Sequence, residues 1–492
     1  MFSVRFALMF CALSYFPLAA RSDIARSSTQ QSPKSAGKPN FIVMLMDDMG
    51  WGDLGVYGEP NKETPNLDKM ASEGMLFPDF YSACPLCSPS RAALLSGRLP
   101  IRNGFYSDNA FGCNGMCIEY THLGQQPRYH PLRHGFDEWF GSSNCHLGPF
   151  NNRDTPNVPV FRDADMVGRY YEDFPFNKQT GEANLTQIYI NEATSFIEKQ
   201  VATGQPFFLY WAVDATHDPV YASPDFLGTS RRGIYGDAVR ELDSGVGRIL
   251  QTLQKLKVDN NTFVFFSSDN GAATYNKAKG GSNGPFLCGK ETTFEGGMRE
   301  PAVAWWPGVV QGGQVSFQLG SLMDLFSTLL DFADIPAPSD RTIDGISLRP
   351  ALLSNIVTDR SPIFLYRGDL LMAARVGQYK AHFWTWTNSW SEFHSGTDFC
   401  PGQEVKGVTT HKQTNQTASP LLFDLGCDPQ EKYVIPPSSP IYQQQMPAIL
   451  KAVKEHLATL KPGDPQLNWC DPAVMLMLKL KGSRDDSDKK EI

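Results

Sequence analysis

The sequence has no surplus of positive charge and, after its first 20 residues, no long apolar run. It carries 44 Lys and Arg against 52 Asp and Glu, which gives a formal net charge of −8. This balance argues against a nucleic-acid-binding protein, although a local cluster of cations could still bind an anionic substrate. No segment beyond the N-terminus approaches the ~20 apolar residues of a membrane helix, and internal repeats and long low-complexity tracts are lacking too. We therefore expect a soluble, non-repetitive globular protein.

The first residues have the pattern of a secretory signal. Arg5 supplies a short positive region, a mostly apolar stretch follows, and small residues end at Ala20. The pattern predicts a signal peptide over residues 1–20, with a buried first helix as the alternative. The Ser-, Gln- and Lys-rich segment 21–38 is expected to be flexible. Three N-x-S/T sequons fit the secretory route and predict glycosylation at Asn184, Asn260 and Asn415.

Cysteine is scarce, and its count in the mature chain is odd. Of ten cysteines, Cys11 leaves with the predicted signal, so nine remain. An odd number in an oxidising compartment leaves at least one cysteine unpaired or modified. The count alone does not say which one.

Three apolar, strand-like runs end in polar side chains. The runs are Asn40–Met46, Phe207–Val213 and Thr262–Ser267. The side chains that follow them are Asp47 and Asp48, then Asp214 and His217, then Asp269 and Asn270. The runs alternate with helical patterns, one beginning at Thr64 and one over Gly320–Ala333, which predicts an α/β fold with a large, mostly parallel sheet flanked by helices. In such sheets ligands bind beyond the carboxyl ends of the strands, so these polar residues predict a site.

After about residue 355 the continuous apolar runs give way to short strand-like segments. Short strand-like pieces begin at Ile363, Met372 and Tyr379, and a helix is predicted over Tyr442–Leu460. This pattern favours a second, smaller domain with an antiparallel sheet. We therefore divide the chain into a large domain over 39–358, a smaller domain over 359–462 and a C-terminal extension over 463–492.

The segment Cys87-Ser-Pro-Ser-Arg91 is the most specific motif of the chain. With Ala92–Arg98 after it, the motif resembles the extended signature of the formylglycine-dependent sulfatase family. The resemblance implies that Cys87 is oxidised to formylglycine (3-oxoalanine), whose hydrate attacks sulfur with one hydroxyl and expels sulfate with the other. The alternatives for Cys87 are a disulfide, a buried thiol, or a redox pair with Cys84 in a C-x-x-C motif.

Four oxygen-bearing side chains at two strand ends suit a hard divalent cation. They are Asp47, Asp48, Asp269 and Asn270, although Asp-Asn-Gly is also a common turn sequence. The resemblance implies that these residues, with the formylglycine from Cys87, bind one Ca²⁺ that orients a sulfate oxygen.

The same resemblance implies roles for the cationic side chains. Arg91 would hold the formylglycine hydroxyl, and Asp269 would help to deprotonate it. Lys290 would bind the sulfate and assist the leaving oxygen, while His217 and His122 would contact the substrate. These cations are needed because negative charge builds on the sulfate oxygens and on the leaving alkoxide. Taken alone, His217 and Lys290 would be interpreted as structural or surface residues.

Longer stretches, such as Trp51–Glu59 and His382–Trp390, resemble family members that act on glycosaminoglycans. The resemblance covers residues 39 to about 470 and implies hydrolysis of 6-sulfate esters of N-acetylgalactosamine or galactose in chondroitin sulfate and keratan sulfate. It implies a lysosomal location, maturation by the formylglycine-generating enzyme and a homodimer. It also implies a disulfide between Cys288 and Cys400 that links the two domains.

One part of the predicted site departs from the family. The family has a Gly-Lys-x-His-x-Gly element, whereas this chain reads Ile118–Gly124, with Tyr120 in place of the lysine and His122 retained. The segment over 107–121 is also shorter than in the family. These departures leave open a catalytically impaired relative that binds sulfated glycans or pairs with active subunits. A phosphohydrolase of the same superfamily is a third possibility, but it does not account for the Cys-x-Pro-Ser-Arg motif.

Overall fold

Strand β1 (Asn40–Met46) runs through a six-stranded sheet in the computed structural model, which describes residues 37–106, 130–142, 158–360 and 362–465. The predicted signal peptide, residues 21–36 of the segment expected to be flexible, and both Tyr120 and His122 lie outside the described residues. Nearly all of the C-terminal extension lies outside them as well.

The strands and helices of the described residues are numbered in chain order. After β1 the strands are β2 (Met75–Leu76), β3 (Phe80–Tyr81), β4 (Phe140–Ser142), β5 (Pro159–Arg162), β6 (Asp165–Arg169), β7 (Phe176–Asn177), β8 (Glu182–Ala183), β9 (Phe208–Val213), β10 (Thr262–Ser268), β11 (Arg299–Glu300), β12 (Ala302–Trp305), β13 (Gln314–Val315), β14 (Gly320–Ser321), β15 (Ile363–Arg367), β16 (Leu370–Val376), β17 (Tyr379–His382), β18 (Trp384–Thr385), β19 (Thr414–Asn415) and β20 (Leu421–Asp424). The helices are α1 (Pro65–Glu73), α2 (Cys87–Ser96), α3 (Pro100–Asn103), α4 (Leu185–Thr203), α5 (Ile234–Lys255), α6 (Glu295–Met298), α7 (Leu322–Phe332), α8 (Arg349–Ser354), α9 (Trp390–His394) and α10 (Pro440–Thr459).

The central sheet has the strand order β13, β2, β12, β10, β1 and β9. The pairs β13–β2, β10–β1 and β1–β9 are parallel, whereas β12 runs antiparallel to both of its neighbours. The predicted α/β class with a mostly parallel sheet is therefore confirmed, and β12 is the exception. The three apolar runs recognised in the sequence form β1, β9 and β10, side by side.

Helices cover both faces of this sheet, because successive side chains of a strand point to opposite faces. From β1, Ile42, Met44 and Met46 pack with side chains of α1, α4 and α5. Phe41, Val43 and Leu45 point the other way, into a second cluster with α2, α7 and α8. Every residue of β1 is buried. This is why β1 is a continuous apolar run rather than an alternating one.

The second domain is built on the antiparallel sheet β15, β16, β17 and β20. Helix α10 packs on it through Met446 and Ile449, which contact Ala374, Ala381 and Leu422 in one cluster. The sequence predicted this helix with ends displaced by one or two residues.

The helix predicted over Gly320–Ala333 is shorter than expected. Its first two residues form β14, which pairs with β3, and α7 begins at Leu322. The reason is a capping box, in which the backbone N–H of Ser321 donates to Asp324 Oδ2 at 2.8 Å. Such a box ends the extended segment and starts the helix at one defined residue.

A disulfide and a buried charge cluster join the two domains. Cys288 and Cys400 are disulfide-bonded across 112 residues, the pair implied by the resemblance. Close by, the fully buried Lys380 of β17 lies 2.9 Å from Glu295 Oε1 of α6 and 2.9 Å from Glu431 Oε1. The second domain is therefore attached to the chain segment on both sides of Lys290, at Cys288 and at Glu295.

Candidate active site

Cys87 occupies the first position of α2 and is 3% exposed. Its thiol donates to Asp47 Oδ1 at 3.3 Å, and Lys290 Nζ donates to its sulfur at 3.3 Å. Cys84 and Cys87 are both free thiols, so neither the disulfide nor an oxidised C-x-x-C pair is present. Burial raises the pKa of Cys84 to about 12, which opposes the low thiol pKa that redox pairs need.

The register between β1 and β10 brings the two pairs of metal-binding candidates together. Met46 is paired with Ser268, so Asp47 and Asp48 leave the sheet beside Asp269 and Asn270. The backbone N–H of Asp48 donates to Asp269 Oδ1 at 3.2 Å, and Asn270 Nδ2 donates to Asp48 Oδ1 at 2.7 Å. Asp48 adopts a left-handed backbone conformation with φ of 58°, which is uncommon for a residue with a side chain and often marks a functional site.

Two buried cations face these carboxylates. Arg91 donates from Nε to Asp269 Oδ2 at 2.8 Å and approaches Asp47 Oδ2 at 3.4 Å. Lys290 Nζ lies 2.7 Å from Asp48 Oδ1 and is 0% exposed. Burial alone would lower the pKa of Arg91, but Asp269 and the other nearby acids hold it well above its usual range. Arg91 is therefore a fixed positive charge close to Cys87, and Lys290 lies against a different carboxylate of the same cluster.

His217 lies at the accessible side of the site. Its side chain is 13% exposed, whereas that of Asp48 is 1% exposed, and its Nε2 lies 3.6 Å from Asp48 Oδ2. The ring is oriented by a 2.7 Å contact between Nδ1 and the carbonyl of Asp218. A group entering the site would meet His217 before reaching Cys87.

The donor set fits a divalent cation. Ligand atoms of Asp47, Asp48, Cys87 and His217 all lie within 4.8 Å of one another. Within the described part of the chain, the buried Oδ1 of Asn270 has no hydrogen-bond partner, which is costly unless a cation or water binds it. Asp269, the remaining predicted ligand, lies in the same cluster, and its two oxygens accept from Arg91 Nε and from the Asp48 N–H.

Burial and neighbouring charge shape the protonation of this site. Burial, with Asp47 and Asp48, raises the pKa of Asp269 to about 7 even though Arg91 opposes the shift. Burial and then Asp47 raise the pKa of the Cys87 thiol well above its ordinary value. Three carboxylates share two cations here, so a bound divalent cation would relieve the excess negative charge.

Sequence reasoning missed two hydroxyl groups that position these residues. Thr216 donates from Oγ1 to the carbonyl of Asp47 at 2.6 Å. Ser268 Oγ accepts from the N–H of Met49 at 3.0 Å and donates to the carbonyl of Asn270 at 3.1 Å. Each stands within two residues of a predicted site residue, and that proximity was the available signal.

The remaining predicted residues divide into two groups. His122, the third predicted substrate contact, lies outside the described residues. The three sequon asparagines are exposed in the structure, at the positions Asn184, Asn260 and Asn415.

Comparison with known proteins places this arrangement in a family. Residues 39–335 match the sulfatase family and residues 358–484 match the C-terminal region of aryl-sulfatase. The chain belongs to the sulfatase family, whose members hydrolyse sulfate esters. That membership implies a formylglycine and a divalent metal, and the residues around Cys87 fit both.

Relatives and solved structures agree with this placement. The chain is 61% identical to N-acetylgalactosamine-6-sulfatase of Canis lupus familiaris, over 89% of each chain. It is 36% identical to arylsulfatase A of Bos taurus, over 86% of this chain and 87% of the relative. Its fold matches the crystal structure of the PsFucS1 sulfatase from Pseudoalteromonas sp. with a TM-score of 0.72 and 27% identity, covering 87% of this chain and 93% of the other. No helix among the described residues is long and apolar enough to cross a membrane.

Proposed function

We propose that this sulfatase removes the 6-sulfate of N-acetylgalactosamine 6-sulfate and galactose 6-sulfate units in chondroitin sulfate and keratan sulfate. One observation carries the substrate assignment: the 61% identity to N-acetylgalactosamine-6-sulfatase extends over 89% of both chains. A match of this extent has to span parts of both domains rather than the motif alone.

The side chains around Cys87 are suited to this reaction. Formylglycine made from Cys87 supplies a hydroxyl nucleophile for sulfur, and Ca²⁺ supplies positive charge to the sulfate oxygens. Asp47, Asp48, Asp269 and Asn270, together with residue 87, would hold the cation. Arg91 would hold the hydroxyl group of residue 87 in place, with Asp269 nearby as the acceptor of its proton.

Lys290 and His217 would act on the substrate. Lys290 brings a fixed positive charge within 3.3 Å of residue 87, where it would stabilise charge on the sulfate. His217, at the accessible side, would donate a proton to the leaving sugar oxygen, and His122 is proposed to assist. Three carboxylates in the same site repel an unneutralised anion, so these cations and the metal are required together.

The cellular setting is part of the same proposal. The signal-like N-terminus and the exposed sequon asparagines support a glycosylated protein delivered to the lysosome. Oxidation of Cys87 requires the formylglycine-generating enzyme as a transient partner, and a homodimer is expected. The comparisons do not favour the catalytically impaired alternative, because they align the chain with curated enzymes over nearly its whole length.

The test is sulfate release from a galactose 6-sulfate substrate at acidic pH, by secreted protein co-expressed with the formylglycine-generating enzyme. Turnover that is abolished by Cys87→Ser supports the proposal. Soluble protein that carries formylglycine yet releases no sulfate contradicts the proposal. That result would favour the catalytically impaired relative, with Tyr120 and the segment 107–121 as the cause.

A further inference from the structure

Arg367, the last residue of β15, is a half-buried cation that forms no ion pair among the described residues. Its Nε is buried and makes no hydrogen bond within that part of the chain. The other buried arginines of the two domains each have a carboxylate partner, as shown by Arg91, Arg299, Arg360 and Arg375. An arginine without a carboxylate partner lacks the ion pair that normally offsets the free-energy cost of its desolvation.

An aromatic ring fixes the plane of this guanidinium group. The central carbon of Arg367 lies 3.6 Å from the centroid of the Trp386 ring, which is face-to-face stacking distance. Trp386 is itself held against Phe399, with ring centroids 5.8 Å apart. Stacking occupies one face of the guanidinium and leaves its N–H edge for a ligand.

Arg367 lies next to the chain segment that leads to Cys87, because Cys84 Sγ lies 4.0 Å from the carbonyl oxygen of Tyr366, the residue before Arg367. Burial lowers the pKa of Arg367, and the nearby carboxylates of Glu291 and Glu392 offset that effect only in part. Glu291 directly follows Lys290, and its N–H donates to the carbonyl of Pro85 at 2.9 Å. Cys84 precedes Cys87 by three residues, a span of at most ~11 Å along the chain. The second domain thus places a cation next to the chain segments that carry Cys87 and Lys290.

We propose that Arg367 and Trp386 form a second anion-binding subsite, which recognises the carboxylate or sulfate of the sugar adjoining the one whose ester is cleaved. The inference rests on the proposed function and deepens it, because it extends recognition from one sulfated sugar to two. A guanidinium edge matches the paired oxygens of a carboxylate or sulfate, and partial burial strengthens the hydrogen bonds. Arg367 is then a specificity residue that touches substrate without taking part in sulfur chemistry.

The test measures ligand affinity by titration calorimetry on the Cys87→Ala protein, which has no nucleophile at this position, so that sulfated ligands stay intact. Three disaccharides share a 6-sulfated N-acetylgalactosamine and differ in the neighbouring sugar, which carries a carboxylate, a second sulfate or only hydroxyl groups. Arg367 is expected to make the anionic ligands bind about ten- to hundredfold more tightly than the neutral one. Comparison of the two anionic disaccharides shows whether Arg367 prefers a carboxylate or a sulfate.

Arg367→Gln should remove this preference while leaving affinity for the neutral ligand within about twofold. Arg367→Lys, which keeps the charge but loses the planar fork, should reduce the preference severalfold and serves if the glutamine variant does not fold. The matched control is Arg349→Gln, since Arg349 also lies over an aromatic ring but has Asp331 as its partner at 3.0 Å.

A preference that survives in both Arg367 variants overturns the proposal, and so does equal or absent binding of all three ligands by the Cys87→Ala protein. The proposed function is tested separately, by hydrolysis of the galactose 6-sulfate monosaccharide, which has no adjoining sugar for the subsite to bind. If the enzyme hydrolyses the monosaccharide but binds the three disaccharides without preference, the proposed function is supported and the proposed subsite is contradicted.

Discussion

Cys87 is chemically unsuited to its position as long as it remains a cysteine. Its pKa is raised well above the ordinary value by burial and then by Asp47, so the thiol stays protonated and is a poor nucleophile. The neighbouring Arg91, Lys290 and carboxylates are arranged for an oxygen nucleophile and a cation. The surroundings of the residue therefore agree with the modification that family membership implies.

Replacement of Lys290 by methionine should lower the turnover of sulfate esters by about 10²–10³-fold, because a fixed charge on the sulfate is lost. Initial rates on galactose 6-sulfate, corrected for formylglycine content, give the measurement. Lys255→Met, at an exposed position of α5, should leave the rate unchanged. Equal rates for the wild type and Lys290→Met would remove Lys290 from the proposed mechanism.

The pKa of Asp269 predicts how the metal-free protein responds to pH. A folded-state pKa of about 7 lies above the usual 3.8, so the folded state binds this proton more tightly than the unfolded chain does. The resulting stabilisation is fully present below pH 3.8 and is lost as the pH rises through about 7. In chelator-treated samples, the difference in Tm between the wild type and Asp269→Asn should shift in favour of the wild type as the pH falls from about 7.5 to 4.5. Parallel Tm curves for the two proteins would contradict the raised pKa.

At the scale of secondary-structure elements, three strand ends and one helix start make the site. The parallel pairing of β1 with β9 and β10 brings their carboxyl ends to one edge, where α2 presents Cys87 at its first turn. The segment from Asn270 to Lys290 closes the site, and it contains Cys288 of the disulfide.

Removal of that disulfide should destabilise the protein and disturb this segment. The double variant Cys288→Ser with Cys400→Ser opens a loop of 112 residues and should lower the free energy of unfolding by about 2–5 kcal/mol. Denaturant unfolding measures the change, and sulfate release should fall as well, because Cys288 lies two residues before Lys290. Cys427→Ser removes an exposed free thiol and should alter neither quantity, so a similar loss in both variants would argue against the disulfide as the cause.

At the scale of the whole molecule, the two domains share buried charges rather than a purely apolar interface. Lys380 has two carboxylate partners, and His382 contacts one of them, Glu431 Oε1, at 2.6 Å. Such a cluster adds little net stability when complete, but removal of one member leaves an uncompensated charge. The relative placement of the domains, and with it the distance from Arg367 to the catalytic centre, depends on this junction.

Lys380→Met should therefore lower the free energy of unfolding by about 3–5 kcal/mol, because Glu295 and Glu431 remain buried together. Lys451→Met, which breaks an exposed pair with Glu455, should change it by less than about 0.5 kcal/mol. Unfolding followed by both fluorescence and circular dichroism would show whether the domains separate first. Equal stability of the two variants would mean that the junction charges are dispensable.

Local sequence patterns predicted the elements well, because continuous apolar runs and helix starts are encoded within a few residues. They predicted β1 to the residue and located the second antiparallel sheet. They did not predict contacts that depend on register, such as Arg91 with Asp269, 178 residues apart, or Thr216 with the carbonyl of Asp47. The cluster at Lys380 was missed for the same reason, since its members come from three distant segments and no single segment is unusual.

The 3% exposure of Cys87 also constrains the order of events during biosynthesis. An enzyme that oxidises this thiol has to reach it before α2 docks against the ends of β1 and β10. Oxidation and folding thus compete in time, and a chain that folds first keeps a cysteine that cannot be corrected without unfolding. The active fraction of a preparation is therefore set by the ratio of two rates in the newly made chain, and stabilising the finished fold would not increase it.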